Sequence, residues 1–245
     1  MYRYFLSILF IFSFTNSFAQ EIKTKLSISH VTGDFYVYTT YNSYQNTQVP
    51  ANGMYIITNN GVVMLDTPWD TTQFQPLLDS IKTKHNKEVT LCIATHWHSD
   101  KTAGLEYYRQ KGIKTYTTYL TDELSKINNK KRAENIIYQD TAFQAGQYTL
   151  ETYYPGPGHT SDNIVIWCKQ EKMLYAGCLV KAADAKDLGY LGDGNIQEYA
   201  TTLKKVIIKY PVSKYIIISH GDWNNTNSLR HSFQLSKKLK RKSLQ

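Results

Sequence analysis

A chain of 245 residues with 20% charged residues and a net charge of +8 at pH 7 is long enough to bury one large core, and no linker or composition shift divides it. Its three cysteines, Cys92, Cys168 and Cys178, are an odd number, so a disulfide framework is excluded as the organising principle. Much of the basic excess lies in KKLKRK (Lys237 to Lys242), where lysines at a helix end complement the helix dipole; the scattered tyrosines form no basic-aromatic stripe of the kind that nucleic-acid binding requires.

The first nineteen residues, MYRYFLSILFIFSFTNSFA, carry one positive charge (Arg3), an apolar run from Phe5 to Phe14 and a small-x-small ending at Ser17 and Ala19. That is the pattern of a cleavable secretory signal, and the run is well short of the roughly 20 residues of a bilayer span. It implies a soluble periplasmic protein whose mature chain, 20–245, is a single domain. From Ser27 to Asp66, alternating apolar residues with Asn60-Gly61 as a hairpin turn predict a β-meander. TTQFQPLLDSIKTKH predicts a helix with Phe74, Leu77, Leu78 and Ile81 on one face, and Pro76 confined to its first turn. EVTLCIAT reads as a strand, LEYYRQKG as a helix closed by Gly112, IKTYTT as a short strand, and TDELSKINNKKRAEN as a polar helix capped by Thr121. Strands follow at QYTLETYYPG, NIVIWCK and KMLYAGC. The loop KAADAKDLGYLGDGN leads to a helix from Ile196 to about Lys209, then a strand, KYIIIS, and a last helix from about Asn227. This order predicts two sheets packed face to face with helices outside.

Histidine is scarce, and four of the seven stand at strand ends or in glycine-rich turns: His96 and His98 in THWHSD, His159 in PGPGHTSDN and His220 in SHGDW. Asp100 and Cys178 occupy similar positions. Strand ends face one edge of a sheet sandwich, so six ligand-type side chains can converge there. Four imidazoles, a carboxylate and a thiolate are donors that zinc prefers, and they suffice for two sites that each keep a position open to water. His30, His85 and His231 read as surface residues, and Cys92 and Cys168 as small buried hydrophobes.

THWHSD, PGPGHTSDN, GCLVK and SHGDW, in that order and spacing and with TNNGVVMLDTPW ahead of them, resemble the metallo-β-lactamase family, specifically its cysteine-containing dizinc subclass. The resemblance implies a four-layer αββα sandwich of two mixed sheets with outer helices. It places His96, His98 and His159 on a first Zn2+, and Asp100, Cys178 and His220 on a second. It implies hydrolysis of the amide bond of penicillins, cephalosporins and carbapenems by a zinc-bound hydroxide, and so antibiotic resistance. Asp100 takes a catalytic part by orienting the hydroxide or relaying its proton. Lys181 matches a lysine that holds the substrate carboxylate, and Asp66 a carboxylate that supports the metal-binding loop. Trp69 and the stretch YNSYQNTQVPANG resemble a loop that covers bound substrate. The implied partner is a small-molecule β-lactam bound by a monomer, with no nucleic acid and no membrane contact once the signal is cut.

The match departs from the family at three positions. Lys101 follows Asp100 where relatives commonly have arginine, a point charge in place of a planar fork, and Ala103 stands where glycine is usual. Tyr190, expected to contact substrate, stands where many relatives put an asparagine that assists the oxyanion. A tyrosine hydroxyl can donate, Asn195 is not assigned that role by sequence, and the oxyanion partner other than zinc stays open. Thioester hydrolases and nucleases of the same superfamily usually carry histidine after the HxHxD aspartate and an aspartate where this chain has Cys178. A serine β-lactamase is excluded because no Ser-x-x-Lys or Lys-Thr-Gly occurs.

Overall fold

The computed structural model describes residues 25–243, so the signal expected at 1–19 lies outside the described residues. Its seven-stranded sheet follows sequence order: β1 (Leu26–Thr32), β2 (Phe35–Tyr44), β3 (Thr47–Thr58), β4 (Gly61–Leu65), β5 (Val89–Ile93), β6 (Lys114–Thr118) and β7 (Asn135–Ile137). The first four strands pair antiparallel, and the rest of the sheet is parallel. A five-stranded sheet contains β8 (Ala142–Ala145), β9 (Tyr148–Tyr153), β10 (Val165–Cys168), β11 (Met173–Gly177) and β12 (Tyr215–Ile218), in the order β12-β11-β10-β9-β8. Its β11–β12 pair is parallel and its other pairs antiparallel.

Period-two alternation decides the layers, because successive side chains of a strand face opposite sides. In β4, Val63 and Leu65 join the core between the sheets while Val62 and Met64 face outward; in β10, Ile166 and Cys168 point inward and Val165 and Trp167 outward. Both faces of these strands are buried because helices cover the outer ones. Phe74, Leu77 and Ile81 of α1 (Phe74–His85), with Leu105 and Tyr108 of α3 (Leu105–Gln110), pack on the first sheet. Tyr199, Leu203 and Val206 of α5 (Ile196–Lys209), and Leu229 of α6 (Ser228–Lys242), pack on the second. The result is the αββα sandwich expected from the sequence. No helix among the described residues is long and apolar enough to cross a membrane.

Several local expectations change. The stretch YNSYQNTQVPANG is no open loop: it forms the paired ends of β2 and β3, joined by a two-residue turn in which Gln45 and Asn46 both have positive φ. That is the turn geometry that matches strand twist. The helix expected from Thr121 begins earlier, as α4 (Tyr119–Ile127), with Thr118 as its cap accepting the Thr121 N–H. It ends before the lysine-rich stretch, and β7 and β8 follow where no strand was expected. Both are edge strands of only three and four residues, so their alternation is too brief to read. His85 and His231 are half-buried rather than surface residues, and their rings contact Tyr55 and the Ala185 carbonyl.

The interface between the sheets is expected to dominate stability. Ile56→Ala, at a fully buried position of that interface, should lower the unfolding free energy by about 2–5 kcal/mol in urea titration.

Candidate metal centre

Strand ends meet at one edge of the sandwich. β4 stops one residue before Asp66, β5 runs into the loop of His96 and His98, β11 ends immediately before Cys178, and β12 stops two residues before His220. Because β4–β5 and β11–β12 are parallel pairs, their carboxyl ends open on one side, where ligands of α/β sheets ordinarily sit. His159 comes from the β9–β10 connection, and Asp100 lies in the first turn of the short helix α2 (Ser99–Thr102). Gly177 (φ +55°) and Gly221 (φ +96°) flank Cys178 and His220, and both adopt backbone conformations that side-chain-bearing residues rarely take.

The donors form two adjoining clusters. Ligand atoms of His96, His98 and His159 lie within 4.8 Å of one another, as do those of His96, Asp100 and Cys178. His220 completes the second cluster: its Nε2 is 3.2 Å from Asp100 Oδ2 and 3.4 Å from Cys178 Sγ, while Cys178 Sγ is 3.3 Å from the same carboxylate. Its Nδ1–H donates to the Pro50 carbonyl at 2.7 Å, which leaves Nε2 to face the cluster.

Electrostatics fit these groups to a cation. Burial, aided by His98, pushes His96 well below the usual imidazole range, and burial with Lys181 does the same to His159. Both are therefore neutral at pH 7, the state a metal ligand needs. His96 Nε2 is buried and has no hydrogen-bond partner, so the protein itself leaves that lone pair unsatisfied. Burial alone would raise Asp100, but Lys101, then His220 and His96, hold its carboxyl well below the usual range. At His220 burial is outweighed by Cys178 and Asp100, which push the imidazole up to about 10. The cluster thus attracts positive charge, and a divalent ion binding there would displace the His220 proton. An orphaned imidazole nitrogen within a mixed N, O and S donor set fits a borderline-soft divalent metal.

Lys101 and Asp66 lie beneath the clusters. Lys101 is fully buried, with Nζ 3.2 Å from Asp100 Oδ2 and 3.5 Å from Asp66 Oδ2. Burial opposes its charge, but Asp100, Cys178 and Asp66 raise it above the usual ammonium value. Asp66, also fully buried and at a left-handed φ of 65°, accepts the Thr95 N–H at 2.8 Å and the Tyr175 hydroxyl at 2.6 Å. Its carboxyl is raised by burial, with Lys101, Tyr175 and Thr95 pulling it down.

The other expected residues line the cleft. Lys181 is 8% exposed, with Nζ 3.4 Å from His159 Nδ1; its ammonium is lowered by burial, against the pull of Cys178 and Asp100. The Trp69 ring stands 6.3 Å from that of His220, and the half-exposed Tyr190 ring 6.0 Å from that of His98, so the two aromatics border different ends of the site. Asp193 was not singled out in the sequence, yet its Oδ2 accepts from His98 Nε2 at 2.9 Å. It also raises the Tyr190 hydroxyl, with which it hydrogen-bonds. Nothing in the GDG turn around Asp193 distinguishes it from an ordinary loop aspartate; only the approach of the loop to His98 does.

A four-layer sandwich with such donors at one sheet edge is a metal-dependent class of architecture. The profile of the metallo-β-lactamase superfamily matches residues 46–220, and the chain belongs to that superfamily. It is 37% identical over 227 residues to a type 2 metallo-β-lactamase of Elizabethkingia meningoseptica, covering 93% of this chain and 91% of that one. With a type 2 metallo-β-lactamase of Bacillus cereus it shares 35% identity over 212 residues, covering 86% and 83% of the two chains. The solved metallo-β-lactamase from Pontibacter korlensis superposes with a TM-score of 0.84 at 35% identity, over 86% of this chain and 99% of that one. These relatives are hydrolases, and this chain is an enzyme of their family.

Removing Lys101 tests the charge balance. Lys101→Met strands two buried carboxylates and is expected to cost about 3–5 kcal/mol in denaturation of the metal-free protein. Since the Lys101 value in the folded state lies above the ordinary 10.5, its contribution is fully present below that pH and lost only as pH rises through the folded value. In the variant burial instead pushes the two stranded carboxyls up, so the deficit should be small at acid pH, where they are protonated, and grow as pH rises through their raised values.

Proposed function

We propose that this chain is an exported zinc-dependent β-lactamase that opens the lactam amide of penicillins, cephalosporins and carbapenems and so protects its host from them. The observation that carries the reading is the convergence of six donors from separate segments on one cleft, with the Lys181 ammonium beside them. The β-lactamase names of the relatives support the reaction. The charge, apolar run and small-residue ending of residues 1–19 support export to the periplasm. All six donors come from one chain, which suits a monomer.

His96, His98 and His159 would hold one Zn2+, and Asp100, Cys178 and His220 the other. When bound, zinc supplies a water that ionises near neutral pH and a Lewis acid for the lactam carbonyl. The remaining work falls to side chains. Asp193 and the Pro50 carbonyl hold the rings of His98 and His220 in one orientation. Lys101 keeps Asp100 ionised, so its carboxylate orients the attacking hydroxide by accepting a hydrogen bond from it, while a carboxyl held so low is too weak a base to keep a proton. Lys181 binds the substrate carboxylate and aligns the amide for attack, a contribution to orientation rather than to bond breaking. Trp69 and Tyr190 border the cleft beside His220 and His98, where they can contact bound substrate.

A panel of one penicillin, one chromogenic cephalosporin and one carbapenem, assayed with and without a chelator, tests this. Ring opening that disappears on metal removal and returns with zinc is expected; turnover by metal-free protein, or none with zinc restored, would overturn the reading. Cys178→Ser should reduce bound zinc from two ions to one per chain and remove most turnover. Lys181→Ala should raise KM about tenfold or more, with a smaller change in kcat, from the loss of a charge-assisted hydrogen bond worth about 1.5–3 kcal/mol.

A further inference from the structure

The SDN stretch after His159 is not used by any step above, yet its aspartate is among the fully buried residues of the chain. Asp162 Oδ2 accepts the N–H of Trp97 at 2.9 Å. Trp97 lies between His96 and His98, so this carboxylate of the His159 loop grips the backbone of the other histidine loop between its two candidate ligands.

The surroundings make this a clamp between loops. Two residues on, the Ile164 N–H donates to the Thr95 carbonyl at 3.0 Å, so the segment holds the His96 loop on both sides of His96. Asp66 takes the Thr95 N–H from the opposite side. The His159 turn is itself braced: Asn163 Oδ1 accepts the Thr160 N–H at 3.0 Å, and Asn163 Nδ2 donates to the Gly156 carbonyl at 2.9 Å. The hydroxyls of Thr160 and Thr121 lower the carboxyl that burial raises, while Asp162 Oδ1 itself has no hydrogen-bond partner, so the Trp97 amide is the bond that holds this side chain. A buried N–H left without an acceptor is costly, so the Trp97 amide has a reason to stay on Asp162.

We infer that Asp162 is a positioning residue that holds the His96 and His98 loop in register with the loop of His159, and so sets the geometry of the three-histidine cluster without touching substrate. The inference rests on the metal-site reading proposed above. Asp100 is held by Lys101 and His220 by the Pro50 carbonyl, and Cys178 Sγ lies against both of them, so Asp162 touches none of the three. Loss of Asp162 should therefore act unevenly on the two clusters.

Cobalt(II) titration of the metal-free protein reads each cluster separately, because only the cluster containing Cys178 produces thiolate-to-cobalt charge-transfer absorption. Asp162→Ala is expected to weaken the site without thiolate by about 10–100-fold, the usual penalty for removing a group that orients ligands, while the thiolate band keeps its intensity. Asp162→Asn retains an oxygen that accepts the Trp97 N–H and should restore most of that affinity. Thermal melts of both variants identify one that has not folded, in which case the Asn variant carries the test: it must then bind both ions nearly as the parent does. Parent-like two-site binding by a folded Asp162→Ala protein, equal weakening of both sites, or an Asn variant as weak as the Ala variant would each overturn the inference. Failure of the parent itself to bind two cobalt ions would overturn the metal reading instead.

Discussion

The ammonium of Lys101, out of contact with water between the carboxylates of Asp66 and Asp100, is the interaction on which the rest of the site depends. Desolvating one cation and two anions is expensive, and it is tolerable here because each charge has partners on several sides. Asp66 is satisfied by Thr95 and Tyr175, Asp100 by His220 and Cys178. The triad joins the end of β4 and the start of α2, and through Thr95 and Tyr175 it also engages the end of β5 and the second sheet. Both sheets are thereby committed to one arrangement at the edge where the donors lie.

That commitment explains how loops can present ligands with little freedom. His96 and His98 sit on a segment whose neighbouring amides are taken by Asp66 and Asp162, and His220 is pinned by the Pro50 carbonyl of the β2–β3 ribbon. Further bonds cross between the sheets there: the Asn52 N–H and side-chain amide reach the carbonyls of Ser219 and Ile218. The ribbon expected to be an open loop is therefore part of the scaffold at its base and free only at its tip. Preorganisation of this kind lets a cation meet its ligands without ordering them first.

A lysine in place of the fork of an arginine fits the same logic. An ammonium is compact and can point two ways at once, toward Asp66 and Asp100, with no flat face to accommodate. Its cost is fewer donors: the Asp66 carboxylate obtains the remainder from Tyr175 and Thr95. On the opposite side of the clusters, Asp193 and Tyr190 form a second polar unit around His98, in which the aspartate orients the imidazole and engages the tyrosine hydroxyl.

The residues that the fold gathers at the candidate metal centre were legible in the chain because ligand types at strand ends form a pattern that packing does not produce: HxHxD, the glycine-flanked His159, Cys178 after LYAG, and His220 after IIIS. The unbroken apolar runs of β4 and β10 likewise announced strands covered on both faces, although only packing decided which residues meet the other sheet and which meet a helix. What the chain could not reveal are groups whose roles come from nearness alone. Asp193 lies 95 positions from His98, Asp162 lies 65 from Trp97, and Tyr175 lies 109 from Asp66. Each is an ordinary residue in its local context. The short strands β7 and β8 escaped notice for a related reason, because pairing with β6 and β9 rather than their own alternation makes them strands. Local chemistry and periodicity are written in the order of residues; hydrogen bonds and charge balance across loops exist only after the two sheets have closed on each other.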